Sequence, residues 1–144
     1  MSIIYSISIS EKKHTLKEAV EEAVVNELGF VGDGHAGPGD RQITLMDYKD
    51  FIKIQQDNNL VLKPGDMAEN VIVRGMDFSA CRPRTKISLG SDILVEVMQI
   101  GKEDHPSVVT RKFGVSILPY KGLFCRVIHG GAMKVGDQAE IIKD

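Results

Sequence analysis

The sequence is poor in cysteine and contains no tryptophan. Its two cysteines, Cys81 and Cys125, cannot form the disulfide framework that is typical of small secreted domains, so we expect a reducing, cytoplasmic location. No apolar run approaches the ~18 residues of a membrane-spanning helix. Residues 3–9 are interrupted by serine, and no basic region precedes them, so we also expect no signal peptide and no membrane partner.

The sequence has little excess charge, because 18 lysine and arginine residues nearly balance 20 aspartate and glutamate residues, for a net charge of -2. This balance argues against a general electrostatic attraction to nucleic acid or to an anionic membrane, but leaves room for a local basic patch. Arg82, Arg84 and Lys86 form a short basic cluster, but a groove for single-stranded nucleic acid would interleave aromatic side chains with such charges. We therefore expect no nucleic-acid partner.

The hydrophobic pattern predicts one mainly β domain over residues 1–144. Alternating apolar residues at 3–9 have the period of a strand. Beyond residue 60, turn signals recur at short intervals, which is typical of a barrel or a sandwich. These signals separate short β-branched runs at 70–73, 93–100, 124–128 and 139–142.

Two segments show helical spacing. One helix is expected to end near residues 57–59 and to present an apolar face made of Tyr48, Phe51, Ile52 and Ile54. The segment 15–28 begins with a capping box and keeps apolar residues at helical intervals, although the apolar run from Ala23 also fits a strand. From the pattern alone, a helix is the preferred interpretation of that segment.

Residues 29–40 contain five glycines and must form an irregular loop, because so many glycines make neither a good helix nor a good strand. The segment 32–37 satisfies the pattern G-x-G-x-x-G. A dinucleotide site would require a helix to open directly after it, whereas Pro38 and Gly39 follow here. The glycine loop therefore does not indicate a Rossmann fold.

The glycine loop and the residues after it concentrate polar side chains that a ligand could contact, namely Asp33, His35, Asp40, Arg41 and Gln42. The guanidinium of Arg41 offers a planar fork of donors for a phosphate or a carboxylate. Two interpretations remain open at this point. The segment is either an anion-binding loop or a tight surface turn in which Arg41 pairs with Asp33 or Asp40.

Four segments resemble, in order, those of the MOSC domain, a family named after the C-terminal part of molybdenum-cofactor sulfurase. They are 32–42 (GDGHAGPGDRQ), 65–70 (GDMAEN), 94–103 (LVEVMQIGKE) and 122–131 (GLFCRVIHGG), the last followed by Val135-Gly136-Asp137. Together they extend over most of the chain. One such motif would be weak, but four in the same order are specific.

The resemblance implies a mostly β fold, a MOSC-type β-barrel with a few short helices. It also implies that residues 22–26 form a strand, against the helical pattern, because tertiary context overrides local propensity. The implied function is binding of the molybdenum cofactor (molybdopterin) by a binding or carrier module. The implied partners are proteins of cofactor biosynthesis or molybdoenzymes, and at family level the resemblance also implies pyridoxal phosphate binding.

The sequence departs from the family pattern where many small members carry the cysteine of Gly-Lys-Glu-Cys-His. Asp104 stands at that place, before His105, and Ser116 stands where a second cysteine is frequent. A thiolate can carry sulfane sulfur and binds molybdenum as a soft ligand, whereas a carboxylate is a hard acceptor. A sulfur-carrier or enzymatic function would therefore use Cys125 or Cys81, or acid–base chemistry of Asp104 and His105.

Each cysteine also has a purely structural interpretation. Cys125 lies in a strand-like run, where a small thiol packed in the core is expected. Cys81 is followed by Arg82 and Arg84, and such charges would lower the pKa of its thiol and make it reactive. A plain buried thiol is the alternative for Cys81.

The resemblance places the cofactor-binding residues in and around the glycine loop. Arg41 would hold the phosphate of the pterin, Gln42 would orient a polar edge of the ligand, and His35 would face the pocket. The expected cofactor-binding set is Asp33, His35, Arg41, Gln42, Asn70 and Lys102. Arg126 could add positive charge.

This expectation leaves alternatives open. Glu69 and Asn70 match the family, but such side chains near the start of a strand also brace loops through backbone hydrogen bonds. The catalytic candidates are Asp104, His105 and Cys125. No His-x-x-x-His or Cys-x-x-Cys spacing occurs, so we expect no dedicated metal site. A domain that keeps the fold and acts only through protein contacts is a further alternative.

Overall fold

A computed structural model describes residues 2–12, 16–34, 36–101, 112–114 and 122–142. This part of the chain is dominated by strands, with helix α1 at Tyr48–Asn58 and a short 3₁₀ helix at Phe78–Ala80. The strands are β1 (Ile3–Ile9), β2 (Glu18–Val20), β3 (Glu22–Asn26), β4 (Gly29–Phe30), β5 (Ile43–Asp47), β6 (Val71–Arg74), β7 (Lys86–Leu89), β8 (Ile93–Ile100), β9 (Leu123–His129), β10 (Gly131–Lys134) and β11 (Ala139–Ile142).

The described strands form an eight-stranded sheet, in the order β11-β7-β8-β9-β5-β6-β1-β2, and a three-stranded sheet, in the order β10-β3-β4. The mostly β fold implied by the resemblance is confirmed. The barrel is not closed by a continuous ladder. Between β1 and the start of β11, the described residues make one isolated bridge, from Ile3 to Gln138, beside a hydrogen bond from the Ile4 N–H to the Asp137 carbonyl (2.8 Å).

Strand β5 lies inside the large sheet and positions the residues that follow the glycine loop. It pairs parallel to β6 and antiparallel to β9, with Ile43 opposite Cys125. Residues 43–46 are buried, so the strand is anchored on both sides and on both faces. Arg41 and Gln42 directly precede this strand, and its anchoring fixes where their backbone enters the sheet.

The predicted helix with an apolar face is confirmed as α1. Its N-cap is Asp47, whose carboxylate accepts a hydrogen bond from the Lys49 N–H, and its C-cap is Asn59 in the left-handed conformation (φ 53°). Phe51 and Ile54 are buried and pack in the smaller hydrophobic cluster of the domain. Within the described part of the chain, we find no helix that is both long enough and apolar enough to span a membrane.

The described residues of segment 16–28 contain β2 and β3, so the helical pattern is wrong and the strand implied by the resemblance at 22–26 is confirmed. The physical reason is pairing on both sides, because β3 lies between β10 and β4. Val25 is buried whereas Val24 is 54% exposed, which is the alternation of a strand with one covered face.

Two groups of buried apolar residues hold the sheets and α1 together. The larger group includes residues from β1, β5, β6, β7, β8 and β9, together with both cysteines. The smaller group lies under α1 and includes Phe51, Met67 and Phe124. Full burial of one such side chain stabilises the fold by about 1.5–3 kcal/mol relative to exposure.

Candidate functional site

Arg41 lies on the surface, directly before β5, in contact with β8 and β9. Its Nε and Nη2 atoms both donate to Oε1 of Gln99, at 3.2 and 3.0 Å. Its guanidinium carbon lies 5.6 Å from the centroid of the Phe124 ring, within the range of a cation–π contact. We call Arg41, Gln99 and Phe124 the arginine platform. The alternative pairing of Arg41 with Asp33 is not formed, because that carboxylate is occupied elsewhere.

Asp33, in the glycine loop, is the centre of a buried polar network. Its Oδ1 accepts from Lys17 Nζ (2.6 Å) and from the Ser10 N–H (3.0 Å), and its Oδ2 accepts from Asn70 Nδ2 (3.2 Å). Burial alone would raise the pKa of Asp33, but the hydrogen bonds from Lys17, Ser10 and Asn70 lower it below its usual value. The loop is therefore tied to β1 and β6 by an ionised carboxylate.

Lys17 was not anticipated from the sequence, although it is the charged partner of this network. Its side chain is 1% exposed and that of Asp33 is 0% exposed. Nothing in the local pattern marks Lys17, because it stands between an apolar residue and the exposed start of β2. The glycine loop is what brings its distant carboxylate partner to it.

Glu69 and Asn70 brace two loops through backbone hydrogen bonds. Oδ1 of Asn70 accepts from the Thr44 N–H (3.0 Å), and the buried carboxylate of Glu69 accepts from the Gly65 and Met67 N–H groups (2.6 and 3.2 Å). Burial raises the pKa of Glu69 to about 7, against the effect of these hydrogen bonds. Glu69 and Asn70 therefore brace loops through backbone hydrogen bonds, which is one of the two interpretations given from the sequence.

Gln42 is buried behind the arginine platform and uses its whole amide within the protein. Nε2 donates to the carbonyls of Glu27 and Gly37 (2.8 Å each), and Oε1 accepts from the Val127 N–H (2.8 Å). The residue thus joins the glycine loop to β9 and holds the backbone from which Arg41 projects. Among the predicted cofactor-binding residues that are described, Arg41 is exposed, whereas Asp33, Gln42 and Asn70 are buried.

Arg126 is committed to an ion pair. Its Nη2 and Nε lie 2.6 and 2.8 Å from Oε1 of Glu96, and Arg84 lies 3.5 Å from the other carboxylate oxygen. The hydrogen bond from Arg126 is the main reason that the pKa of Glu96 is lowered. The predicted positive charge of Arg126 is therefore largely neutralised.

Both cysteines are buried in the core. Burial raises the pKa of Cys81 to about 11, and the charge of Asp77 adds to this shift. Burial also raises the pKa of Cys125, far above its usual range. The expectation that the neighbouring arginines lower the pKa of Cys81 is wrong, because burial and Asp77 determine the surroundings of the thiol.

We expect Cys81 and Cys125 to resist alkylation by iodoacetamide in the native protein at neutral pH. The raised pKa of Cys81 alone reduces its reactive thiolate about 100-fold. Mass spectrometry should show unlabelled native protein and two labels after unfolding in urea, and Cys81→Ser assigns the labels. Labelling of the native protein as fast as the unfolded chain would contradict this expectation and restore a thiol-based function.

Four predicted site residues, His35, Lys102, Asp104 and His105, lie outside the described residues, as does Ser116. In the described part of the chain, no group of three or more His, Cys, Asp and Glu side chains is arranged to hold a metal ion.

Gln99, the acceptor of Arg41, was not predicted as a site residue. The only sequence signal for it was its place in segment 94–103, which resembles the MOSC family.

A cleft of about 560 Å³ lies at another place, where β1 ends and β2 begins. The described cofactor-binding candidates, Asp33, Arg41, Gln42 and Asn70, are not among its described lining residues. Its described lining residues are Ile9, Ser10, Glu11, Lys12, Leu16, Glu18, Ala19 and Val20. The arginine platform is thus separate from this cleft.

No family model matches the sequence, and no curated protein matches it significantly. Solved structures of similar fold include the YUAD protein from Bacillus subtilis, with a TM-score of 0.77 at 19% identity over 98% of this chain and 96% of that one. YiiM from Geobacillus stearothermophilus has a TM-score of 0.79 at 18% identity, covering 99% and 76% of the two chains. YiiM from Escherichia coli has a TM-score of 0.70 at 19% identity, covering 99% and 69%. These likenesses support a MOSC-like fold.

Proposed function

We propose that this MOSC-like domain binds the molybdenum cofactor, and that Arg41 holds the phosphate of its pterin. The observation that carries the proposal is the state of Arg41. Its guanidinium is exposed, it is oriented by a neutral amide oxygen, and among the described residues no carboxylate pairs with it. A cation that is held in place but not neutralised is suited to an anionic ligand.

The described residues fit one end of the cofactor. Arg41 supplies charge-assisted hydrogen bonds for a phosphate, and the glycine loop behind it is braced by Gln42 and Asp33. The buried thiols of Cys81 and Cys125 offer no soft ligand at the platform. The proposal therefore assigns the described residues to the phosphate, while the bound cofactor would supply a redox-active metal.

The test is the pterin that co-purifies with the protein from a host that makes the cofactor. We expect wild-type protein to release a fluorescent pterin after oxidation, and Arg41→Ala to retain about tenfold less, because hydrogen bonds to charged groups contribute about 1.5–3 kcal/mol. Arg82→Ala is the matched control, since it removes an exposed arginine that is not part of the arginine platform, whose described contacts join Arg41 to Gln99 and Phe124. It should retain the wild-type amount.

Two outcomes would contradict the proposal. Equal pterin in wild-type protein, Arg41→Ala and Arg82→Ala would discard the role of Arg41. A wild-type protein that carries no pterin and takes up none when mixed with released cofactor would overturn cofactor binding altogether. Thermal unfolding of each variant verifies that it is folded. Arg41→Ala loses its hydrogen bonds to Gln99 and its contact with Phe124, so we expect a loss of stability of about 1 kcal/mol.

A further inference from the structure

We infer that Gln99 is a positioning and specificity-determining residue of the arginine platform: it fixes the guanidinium of Arg41 and adds its own amide N–H groups, so that the platform selects a phosphate monoester. The ligand class rests on the proposed function, whereas the positioning of Arg41 does not. Four observations carry the inference: the hydrogen bonds, the orientation of the amide, the register of β8 and the surrounding charges.

The hydrogen bonds fix the plane of the guanidinium. Nε and Nη2 of Arg41 converge on the single oxygen Oε1 of Gln99, and Phe124 lies beneath the group. Because Nε and Nη2 both donate to the same oxygen, the edge of the guanidinium that carries them faces β8. The opposite edge, which carries Nη1, is therefore presented in one orientation, and a pre-oriented donor loses less entropy when it binds a ligand.

The orientation of the Gln99 amide follows from chemistry. Arginine has only donors, so the atom of Gln99 that faces it must be the carbonyl oxygen. The amide nitrogen then points away from Arg41 with two N–H groups. Gln99 is half-buried, and we infer that this nitrogen reaches the surface beside the guanidinium. The two residues together present donors from neighbouring positions.

The register of β8 explains how Gln99 reaches this place. Val97 pairs with Cys125, but Gln99 pairs with Phe124, so that Met98 is an extra residue in β8. In a regular strand, Gln99 would share the core-facing side of Val97. Because of the bulge, the side chain of Gln99 lies on the same face of the sheet as that of Phe124. Val97 and Cys125 lie on the opposite face, in the larger hydrophobic cluster. Bulges re-aim side chains in this way next to functional sites.

The charges around the platform favour an anion. Among the described residues, Arg41 has Gln99 as its acceptor and no carboxylate partner, while Glu96 in the same strand is committed to Arg126 and Arg84. A surface that offers donors and a positive charge, and on which no described carboxylate pairs with the guanidinium, recognises an oxyanion with several acceptor oxygens. A phosphate monoester has three terminal oxygens that can meet these donors together.

The first experiment uses ligand-free protein and measures the exchange rate of the Arg41 Nε–H with water by ¹⁵N NMR. We expect slow exchange in the wild type, and about tenfold faster exchange in Gln99→Met, which has similar volume but no acceptor. Gln56→Met is the matched control on the exposed face of α1, and it should leave the rate unchanged. A wild-type rate equal to that of free arginine, or an unchanged rate in Gln99→Met, would overturn the positioning role.

The second experiment titrates the same proteins with phenyl phosphate. We expect Gln99→Met to weaken binding about threefold to tenfold, and Gln99→Glu to weaken it more than tenfold, because a carboxylate would neutralise Arg41. Gln56→Glu introduces the same charge elsewhere and should bind as the wild type does. Equal losses in Gln99→Glu and Gln56→Glu would overturn the specificity role.

The two experiments separate failure of this inference from failure of the proposed function. If the wild type binds no phenyl phosphate but Gln99→Met still frees the Arg41 Nε–H, Gln99 positions Arg41 and the ligand class is overturned. If binding is normal and the exchange rate does not respond to Gln99→Met, the phosphate site stands and the inference fails. If a variant does not fold, the wild-type protein still tests the inference, because an Arg41 Nε–H that exchanges as fast as that of free arginine would overturn the positioning role.

Discussion

Replacing Lys17 with methionine is expected to lower the free energy of unfolding by about 3–5 kcal/mol, measured by urea denaturation at neutral pH. The reason is the charge left behind. Asp33 would keep its hydrogen bonds from Ser10 and Asn70 but lose the cation at 2.6 Å, in a place where neither side chain of the pair meets solvent. A buried carboxylate without its cation must become protonated or draw water into the core.

The control for this prediction is Lys53→Met, which breaks an ion pair with Asp57 on the exposed side of α1. Its side chains are 67% and 57% exposed, so water screens the pair and the loss should be much smaller than that of Lys17→Met. The double variant Lys17→Met/Asp33→Asn should lose less than the sum of its single variants, because no unpaired charge remains. Additive losses, or a Lys17→Met variant as stable as Lys53→Met, would show that the pair does not hold the glycine loop.

Stability should fall as the pH rises from about 4.5 to about 7, and Glu69 should account for about 3 kcal/mol of this loss. Burial raises the pKa of Glu69 to about 7, so the native carboxyl keeps its proton across this range. In the unfolded chain the same group releases its proton near pH 4.5. The unfolded state therefore binds fewer protons, and raising the pH favours it.

The measurement that isolates Glu69 is the difference in unfolding free energy between the wild type and Glu69→Gln as a function of pH. This difference should change by about 3 kcal/mol between pH 4.5 and pH 7. Glu140→Gln, on the exposed part of β11, should follow the wild type throughout. A parallel pH profile for wild type and Glu69→Gln would mean that the native carboxyl is ionised at low pH.

Sequence patterns predicted elements whose apolar period is undisturbed. Helix α1 is of this kind, since it has one covered face. Strand β1 was also predicted, although it is buried on both faces and its pairing with β6 shifts register between Ile4 and Ser6. The segment that became β3 was predicted correctly only through the family resemblance, because pairing with β10 and β4 decides its conformation. The strands Gly29–Phe30 and Gly131–Lys134 were not anticipated, since such short runs carry no readable period.

The sequence did not reveal the partners of the candidate site residues. Arg41 was predicted to bind an anion or to pair with Asp33 or Asp40, and its observed acceptor is Gln99, 58 residues along the chain in a strand with a bulge. A bulge changes the face of every later residue, but only Gln99 and Ile100 follow this one in β8, too few for the change to be read from the sequence. Cys81 shows the same limit, because its arginine neighbours in sequence do not determine its surroundings in space.

The placement of β1 in the large sheet has a consequence for how the chain acquires its structure. Its first strand is hydrogen-bonded to Asn70, 62 residues away, and its beginning meets Gln138 near the other end of the described chain. Such distant partners give a high contact order, so we expect folding on the slow, millisecond-to-second scale of all-β domains. During synthesis on the ribosome, β1 cannot complete its pairing until Gln138, the partner of Ile3, has emerged.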